Sequence, residues 1–191
     1  RTGSLFSVAA FFPREAVTGR LIDELLAARL DAAIVALPVS EATLEEVALF
    51  EEEFVLVRAP DEAGQPVPDP AMLHEMRLLL LEEGHCFRDQ ALSFCKLTPD
   101  VTRELMEGSS LSTLVQMVGA GIGITLVPEM AVPIETRSAE VSIARLPEPR
   151  PRRTVGMVWR RSNPLGAQLG RIAGIVRQVG LDTQAEAAAR G

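Results

Sequence analysis

Five short apolar runs, separated by stretches of helical periodicity, restrict this chain to folds in which strands and helices alternate. The runs are Asp31–Leu37 (DAAIVAL), Phe54–Val57 (FVLV), Leu78–Leu81 (LLLL), Ile124–Val127 (ITLV) and Thr154–Trp159 (TVGMVW), and each reads as a buried strand. Between them, Thr18–Leu30 carries Leu21, Leu25 and Leu26 at helical spacing, with Thr18 placed as the N-cap. Ser110–Val118 opens on hydroxyl residues and closes on Gly119-Ala120-Gly121. A third helix is expected over Asn163–Val179, with Pro164 in its first turn. The alternation predicts an α/β fold built on parallel sheets with crossover helices. The stretch from Asp61 to Pro70, rich in Pro, Gly and acid, reads as a surface loop. The tail from Leu181 to Gly191 is expected to fray or to add a short helical turn.

One junction breaks the pattern. Ser4–Ala9 reads as a first strand, and in this fold class a further helix and strand separate such a strand from the helix that starts at Thr18. A parallel crossover takes roughly a dozen or more residues, yet only Ala10-Phe11-Phe12-Pro13-Arg14 lies between Ala9 and Glu15. The spacing implies that residues are missing between Ala10 and Glu15.

With 191 residues, 47% of them hydrophobic, the chain has enough apolar material for one domain or for two small lobes. No run approaches the roughly 18 apolar residues of a membrane span, and nothing resembles a signal peptide, so a cytoplasmic location without membrane contact is expected. In that setting a pair of cysteines is more often redox-sensing, catalytic or metal-binding than structural. The net charge of −7 argues against nucleic-acid binding by this chain itself. Its only dense basic cluster runs from Arg150 to Arg153, interrupted by Pro151 and followed by Arg160 and Arg161. Zinc is not expected, because only His74 and His85 accompany the two thiols and no close pairing of ligands occurs. No other metal or cofactor is called for.

The most informative segment is Glu83–Cys95, EGHCFRDQALSFC. Gly84 breaks the backbone after the Leu78–Leu81 run, and the residues after it favour a helix that would hold Cys86 in its first turn. Exposed amide groups and the positive end of the helix dipole favour a thiolate there. His85 stands next to it as a hydrogen-bond donor. A thiolate attacks a peroxide oxygen to give a sulfenic acid. Cys86 and Cys95 are nine residues apart, a rise of roughly 13 Å on an α-helix, whereas a disulfide needs Cα atoms within about 7 Å. If the segment is helical, the thiols cannot join without unwinding it, which is what a two-state switch requires. The bland alternative is a pair of buried structural cysteines.

GHCFRDQALSFC resembles, almost residue for residue, the redox segment of the OxyR family, the hydrogen-peroxide sensors among LysR-type transcription regulators. The likeness extends through EAVTGRLIDELLAARLDAAIVAL upstream, through SSLSTLVQMVGAGIGITLVP over Ser109–Pro128, and through EPRPRRTVGMVW over Glu148–Trp159. It covers nearly the whole chain, and the cysteine segment is its specific part. The resemblance implies a two-lobed, periplasmic-binding-protein-like α/β fold, each lobe a mostly parallel sheet with flanking helices. It places lobe I at 1–56 plus 157–191 and lobe II, with the redox segment, at 57–156. It implies that Cys86 reacts with hydrogen peroxide and that Cys95 resolves it to an intramolecular disulfide. It also implies that Thr18 helps hold peroxide and that Arg153 stabilises thiolate and departing hydroxide, with His85 beside Cys86 counted among the peroxide-binding or thiolate-stabilising residues. Without the resemblance, Thr18 is a helix cap and Arg153 a solvated surface charge. The family's N-terminal winged helix-turn-helix has no counterpart here, so DNA binding is expected to belong to the intact regulator. A homodimer, a tetramer in the full-length protein, and a thiol reductant such as a glutaredoxin or thioredoxin complete the implied partners. Such a domain is a sensor and not an enzyme. Two other readings remain open. One is a metabolite-binding effector domain, in which Ser109, Ser110, Ser112 and Thr113 meet a carboxylate at a helix N-terminus. The other is a thiol peroxidase.

Overall fold

A 15-residue strand, β2 (Leu44–Arg58), serves two sheets in this computed structural model, which describes residues 12–84, 86–95 and 106–190. Leu44–Glu53 of β2 pairs antiparallel with β7 (Arg152–Arg160), and β7 pairs on its other side with β1 (Ala33–Leu37). From Phe54 onward β2 changes partners and lies antiparallel to β5 (Thr125–Pro128) and β6 (Ser142–Arg145). The two sheets are therefore joined through continuous backbone, and the molecule has two lobes.

The apolar pattern points only to Phe54–Val57 of this strand. Glu45, Glu46, Glu51, Glu52 and Glu53 disfavour a strand over the preceding residues. Pairing with β7 overrides that propensity. The register sets Glu52 opposite Arg153 and Glu53 opposite Arg152, with ion pairs of 2.7 and 2.9 Å. Arg161 reaches Glu45 at 3.0 Å.

Parallel pairing occurs where helices connect the strands. β3 (Leu80–Leu81) lies parallel to β4 (Glu107–Gly108), and Leu78 makes a parallel bridge to Ile124. The helices flanking β4 are α2 (Cys86–Phe94) and α3 (Leu111–Gly119). Elsewhere among the described residues the ladders are antiparallel, which corrects the expectation of mostly parallel sheets. β2 and β7 cross between lobes in opposite directions, so their neighbours meet them head to tail.

The larger core lies under α2 and α3, where Phe54, Leu56, Leu79, Phe87, Ala91, Leu114, Val118 and Leu126 are buried together. Two smaller clusters cover the β1–β7–β2 sheet. One is centred on Leu25, Val35 and Val158, the other on Met157, Trp159, Leu169 and Ala173.

Helix ends differ from expectation in three places. Helix α1 spans Thr18–Leu26, and its N-cap is Val17, which has no side-chain cap bond, so Thr18 is the first helical residue and not the cap. The helix stops before Leu30 because Ala28 turns to φ 58°. Helix α5 spans Gly166–Arg190, starting after Pro164, and it continues through the tail expected to fray or to add a short helical turn. Its last turns are docked on β2: Gly180 lies against the Phe50 ring, and Gln184 donates to the Glu51 carbonyl at 2.6 Å. A short α4 (Val132–Glu135) follows a 3₁₀ turn at Glu129–Ala131. Among the described residues no helix is long and apolar enough to cross a membrane, and no cluster of three metal-ligating side chains occurs. The expected strand at Ser4–Ala9, part of the junction after it, and His85 lie outside the described residues.

Candidate functional site

Strand β3 ends at Leu81, and the backbone then turns through Gly84, whose φ of +93° is open to glycine at little cost. Two residues later α2 begins with Cys86 as its first residue. The turn sits against lobe I, since a Cβ on Gly84 would lie 3.9 Å from the Val17 side chain. Val17 immediately precedes Thr18, so the start of α1 and the start of α2 lie close together. Thr18 is half-buried there.

Three features hold α2. Phe87, Ala91 and Cys95 recur every four residues and are all buried, forming the face that α2 turns to the core. Phe87 meets Phe54 of β2 edge-to-face, with ring centroids 4.9 Å apart and an interplanar angle of 86°. Arg88, itself buried, donates to the Leu81 carbonyl at 2.8 Å and pairs with Glu107 of β4 at 2.6 Å. One side chain thus ties α2 to both parallel strands beside it.

Arg153 reaches this helix from β7. Its guanidinium carbon is 5.9 Å from the ring centroids of both Phe54 and Phe87, and Phe87 is the residue after Cys86. Its Nε and Nη2 both meet Glu52 Oε2 at 2.7 Å. Glu52 is buried, and its other oxygen accepts the Met130 amide at 3.2 Å. The arginine is therefore a paired, largely enclosed cation and not a solvated surface charge.

Cys95 is a free, buried thiol, and burial pushes its pKa up from 9.0 to about 11. At neutral pH it is a poor nucleophile as long as α2 is formed. The Cys95 amide still donates to the Ala91 carbonyl at 3.0 Å, so helical bonding runs from Cys86 through Cys95.

The structure thus sets the start of α1 beside the turn that leads into α2, and Arg153 beside Phe87 in the first turn of α2. Three of the hydroxyls considered for a carboxylate ligand have partners within the protein: Ser110 caps α3 by accepting the Thr113 amide at 3.2 Å and also contacts the Thr113 hydroxyl, and Ser112 bonds Glu135. Sequence reasoning missed Glu52 and Arg88. For Glu52 the signal was there, as a run of three glutamates in a chain that also carries an Arg-Arg pair. For Arg88 no local pattern announces that a helical arginine turns inward.

The sequence matches the LysR substrate binding domain over residues 13–180. It is 38% identical over 166 residues to a probable hydrogen peroxide-inducible genes activator of Mycobacterium avium, covering 85% of this chain and 53% of that protein. It is 37% identical over 174 residues to the DNA-binding transcriptional dual regulator OxyR of Escherichia coli K12, covering 90% of this chain and 57% of that one. The chain thus spans a little over half the length of these relatives. Among solved structures, a cysteine-to-serine variant of Corynebacterium glutamicum OxyR with hydrogen peroxide bound superimposes with a TM-score of 0.84 at 31% identity, over 92% of this chain and 57% of that one. The reduced OxyR regulatory domain of Pseudomonas aeruginosa gives 0.73 at 35% identity, over 85% of this chain and 77% of that domain. With these likenesses and its two-lobed α/β architecture, the chain belongs to the LysR substrate-binding domain family, among the regulatory domains of OxyR.

Proposed function

We propose that this chain is the hydrogen-peroxide-sensing regulatory domain of a LysR-type transcription regulator, with Cys86 as the reactive thiol. The observation that carries the reading is the position of Cys86 as the first residue of a helix that ends on a second, buried cysteine. The Cys86 thiolate attacks one peroxide oxygen; the O–O bond breaks, hydroxide leaves and is protonated to water, and Cys86 becomes a sulfenic acid. Thr18 and His85 hold the peroxide, and Arg153 supports the thiolate and the departing hydroxide. Cys95 then attacks the sulfenic sulfur, a second water leaves, and an intramolecular disulfide forms. Two thiols and one peroxide thus yield one disulfide and two waters.

In this reading lobe I (1–56 plus 157–191) and lobe II (57–156) form the effector half of a cytoplasmic homodimer that assembles into a tetramer in the full-length regulator. The disulfide changes the geometry of that assembly. DNA is bound by a winged helix-turn-helix outside this chain, and a glutaredoxin or thioredoxin returns the thiols. The domain is a sensor without cofactor or metal, not an enzyme, because a resolving thiol buried in the core suits one conformational event better than rapid turnover. Peptide mapping after mild peroxide tests the reading. It expects Cys86 joined to Cys95 within one chain, and two untouched thiols would overturn it.

A further inference from the structure

The ion pair behind the redox helix has a geometry that a passive strand contact does not need. Glu52 presents one carboxylate oxygen to both Nε and Nη2 of Arg153, each at 2.7 Å, and the other to the Met130 amide at 3.2 Å. The carboxylate is therefore fixed at both ends, and its residue is 3% exposed. The guanidinium it holds stands 5.9 Å over the Phe87 ring, one residue from Cys86.

The neighbouring charges are otherwise engaged. Arg152 pairs with Glu51 and Glu53, Arg150 with Glu53 and Glu148, and Arg145 with Glu53 and Glu129. On α2, Arg88 is bound to Leu81 and Glu107, and Asp89 is exposed. Among the described residues Glu52 is the carboxylate paired with Arg153, and the Phe54 and Phe87 rings lie beside that guanidinium.

We infer that Glu52 is the positioning residue for Arg153: it holds the guanidinium at the start of α2 and cancels part of its charge, and so sets how much thiolate Cys86 carries. This rests on the proposed role of Cys86. Glu52 has two opposing effects. Its hydrogen bonds keep the cation close to the helix start, which favours thiolate; its negative charge in the same place disfavours thiolate. Two substitutions separate them. Glu52→Gln retains an oxygen for Arg153 and removes the negative charge. Glu52→Ala removes the hold altogether and frees a long, cationic side chain to turn its head to solvent.

The test is the pH midpoint of Cys86 alkylation by iodoacetamide in the 191-residue chain, followed by mass spectrometry of the Cys86 peptide, with peroxide oxidation measured alongside. Glu52→Gln lowers the midpoint and Glu52→Ala raises it, each by about one pH unit. A residue that only stitches β2 to β7 moves the two variants together or not at all, and either result overturns the inference. If Glu52→Ala does not fold, Arg153→Lys replaces it. A lysine keeps the charge but cannot make the paired contact, so the midpoint rises if the hold matters and stays in place if it does not. Failure of the underlying reading has a different signature: unmodified protein whose Cys86 is untouched by peroxide overturns both. A peroxide-responsive Cys86 with unchanged midpoints in the Glu52 variants overturns this inference alone.

Discussion

Cys86 is the first residue of α2 and Cys95 immediately follows its last, so a single nine-residue helix holds the two cysteines apart. The backbone rise between them is roughly 13 Å, against the Cα limit of about 7 Å for a disulfide. Joining them requires α2 to unwind, and unwinding must release the Phe87–Phe54 ring contact, the Arg88 bonds and the buried Cys95 thiol. Closing a loop of about ten residues contributes on the order of 3 kcal/mol in the chain-entropy description. Burial of a side chain such as Phe87 contributes about 1.5–3 kcal/mol to the opposing state. The opposing terms are of similar size, as a reversible switch needs.

The first prediction separates the two thiols by role. Cys95→Ser reacts with peroxide and stops at a sulfenic acid, detectable by dimedone trapping and intact mass. Cys86→Ser shows no response at the same dose. A Cys86→Ser protein that still oxidises rapidly at Cys95 contradicts the assignment, because the Cys95 thiol is buried and its pKa is pushed up to about 11.

Arg88 stabilises the helical state specifically. Arg88→Ala strands the Glu107 carboxylate and the Leu81 carbonyl that it now satisfies. Removing one partner of a buried pair costs about 3–5 kcal/mol, at the lower end here since Glu107 is partly solvated. The disulfide state does not share that loss if α2 is unwound in it. Arg88→Ala therefore moves the dithiol–disulfide midpoint tens of millivolts more negative, at about 30 mV per 1.4 kcal/mol. Glutathione redox titration reads this out, and an unchanged midpoint beside a lowered Tm places Arg88 in both states equally.

Much of this arrangement is legible in the residues. The strand at Ala33–Leu37, the α3 cap at Ser110 and the helix start at Cys86 follow from apolar runs, a hydroxyl cap and a glycine turn. What local reading misses is held by distant partners. Leu44–Glu53 is acidic enough to argue against a strand, yet it pairs along its whole length with β7, which sets Arg153 and Arg152 opposite Glu52 and Glu53. The last turns of α5 read as a frayed tail because their alanines and polar residues have no apolar face, yet Gln184 and Gly180 dock them on β2. Thr18 and Arg153 are more than a hundred residues apart in sequence, and only the fold brings both near the start of α2.

Alkaline pH supplies a further check. The Cys95 thiol has its pKa raised from 9.0 to about 11 by burial. Between those values the unfolded chain loses the proton and the folded chain keeps it, so the unfolded state binds fewer protons and stability falls as pH rises. The contribution is fully present below pH 9, is lost as pH rises through about 11, and amounts to on the order of 2 kcal/mol. The chain has no tyrosine and a single lysine, Lys96, so few other groups titrate in this window. Urea unfolding of reduced protein shows this loss between pH 9 and 11, and Cys95→Ala removes it. Identical pH profiles for the two proteins contradict burial of the thiol.

Remodelling of α2 is read most directly by hydrogen–deuterium exchange over the peptide from Cys86 to Cys95, before and after stoichiometric peroxide. In the reduced protein the amides beyond the first turn of α2 are protected by helical bonds, including that from the Cys95 amide to the Ala91 carbonyl. The predicted result is loss of that protection together with formation of a Cys86–Cys95 disulfide in the same molecules. A Cys86–Cys95 disulfide formed with helical protection intact contradicts it.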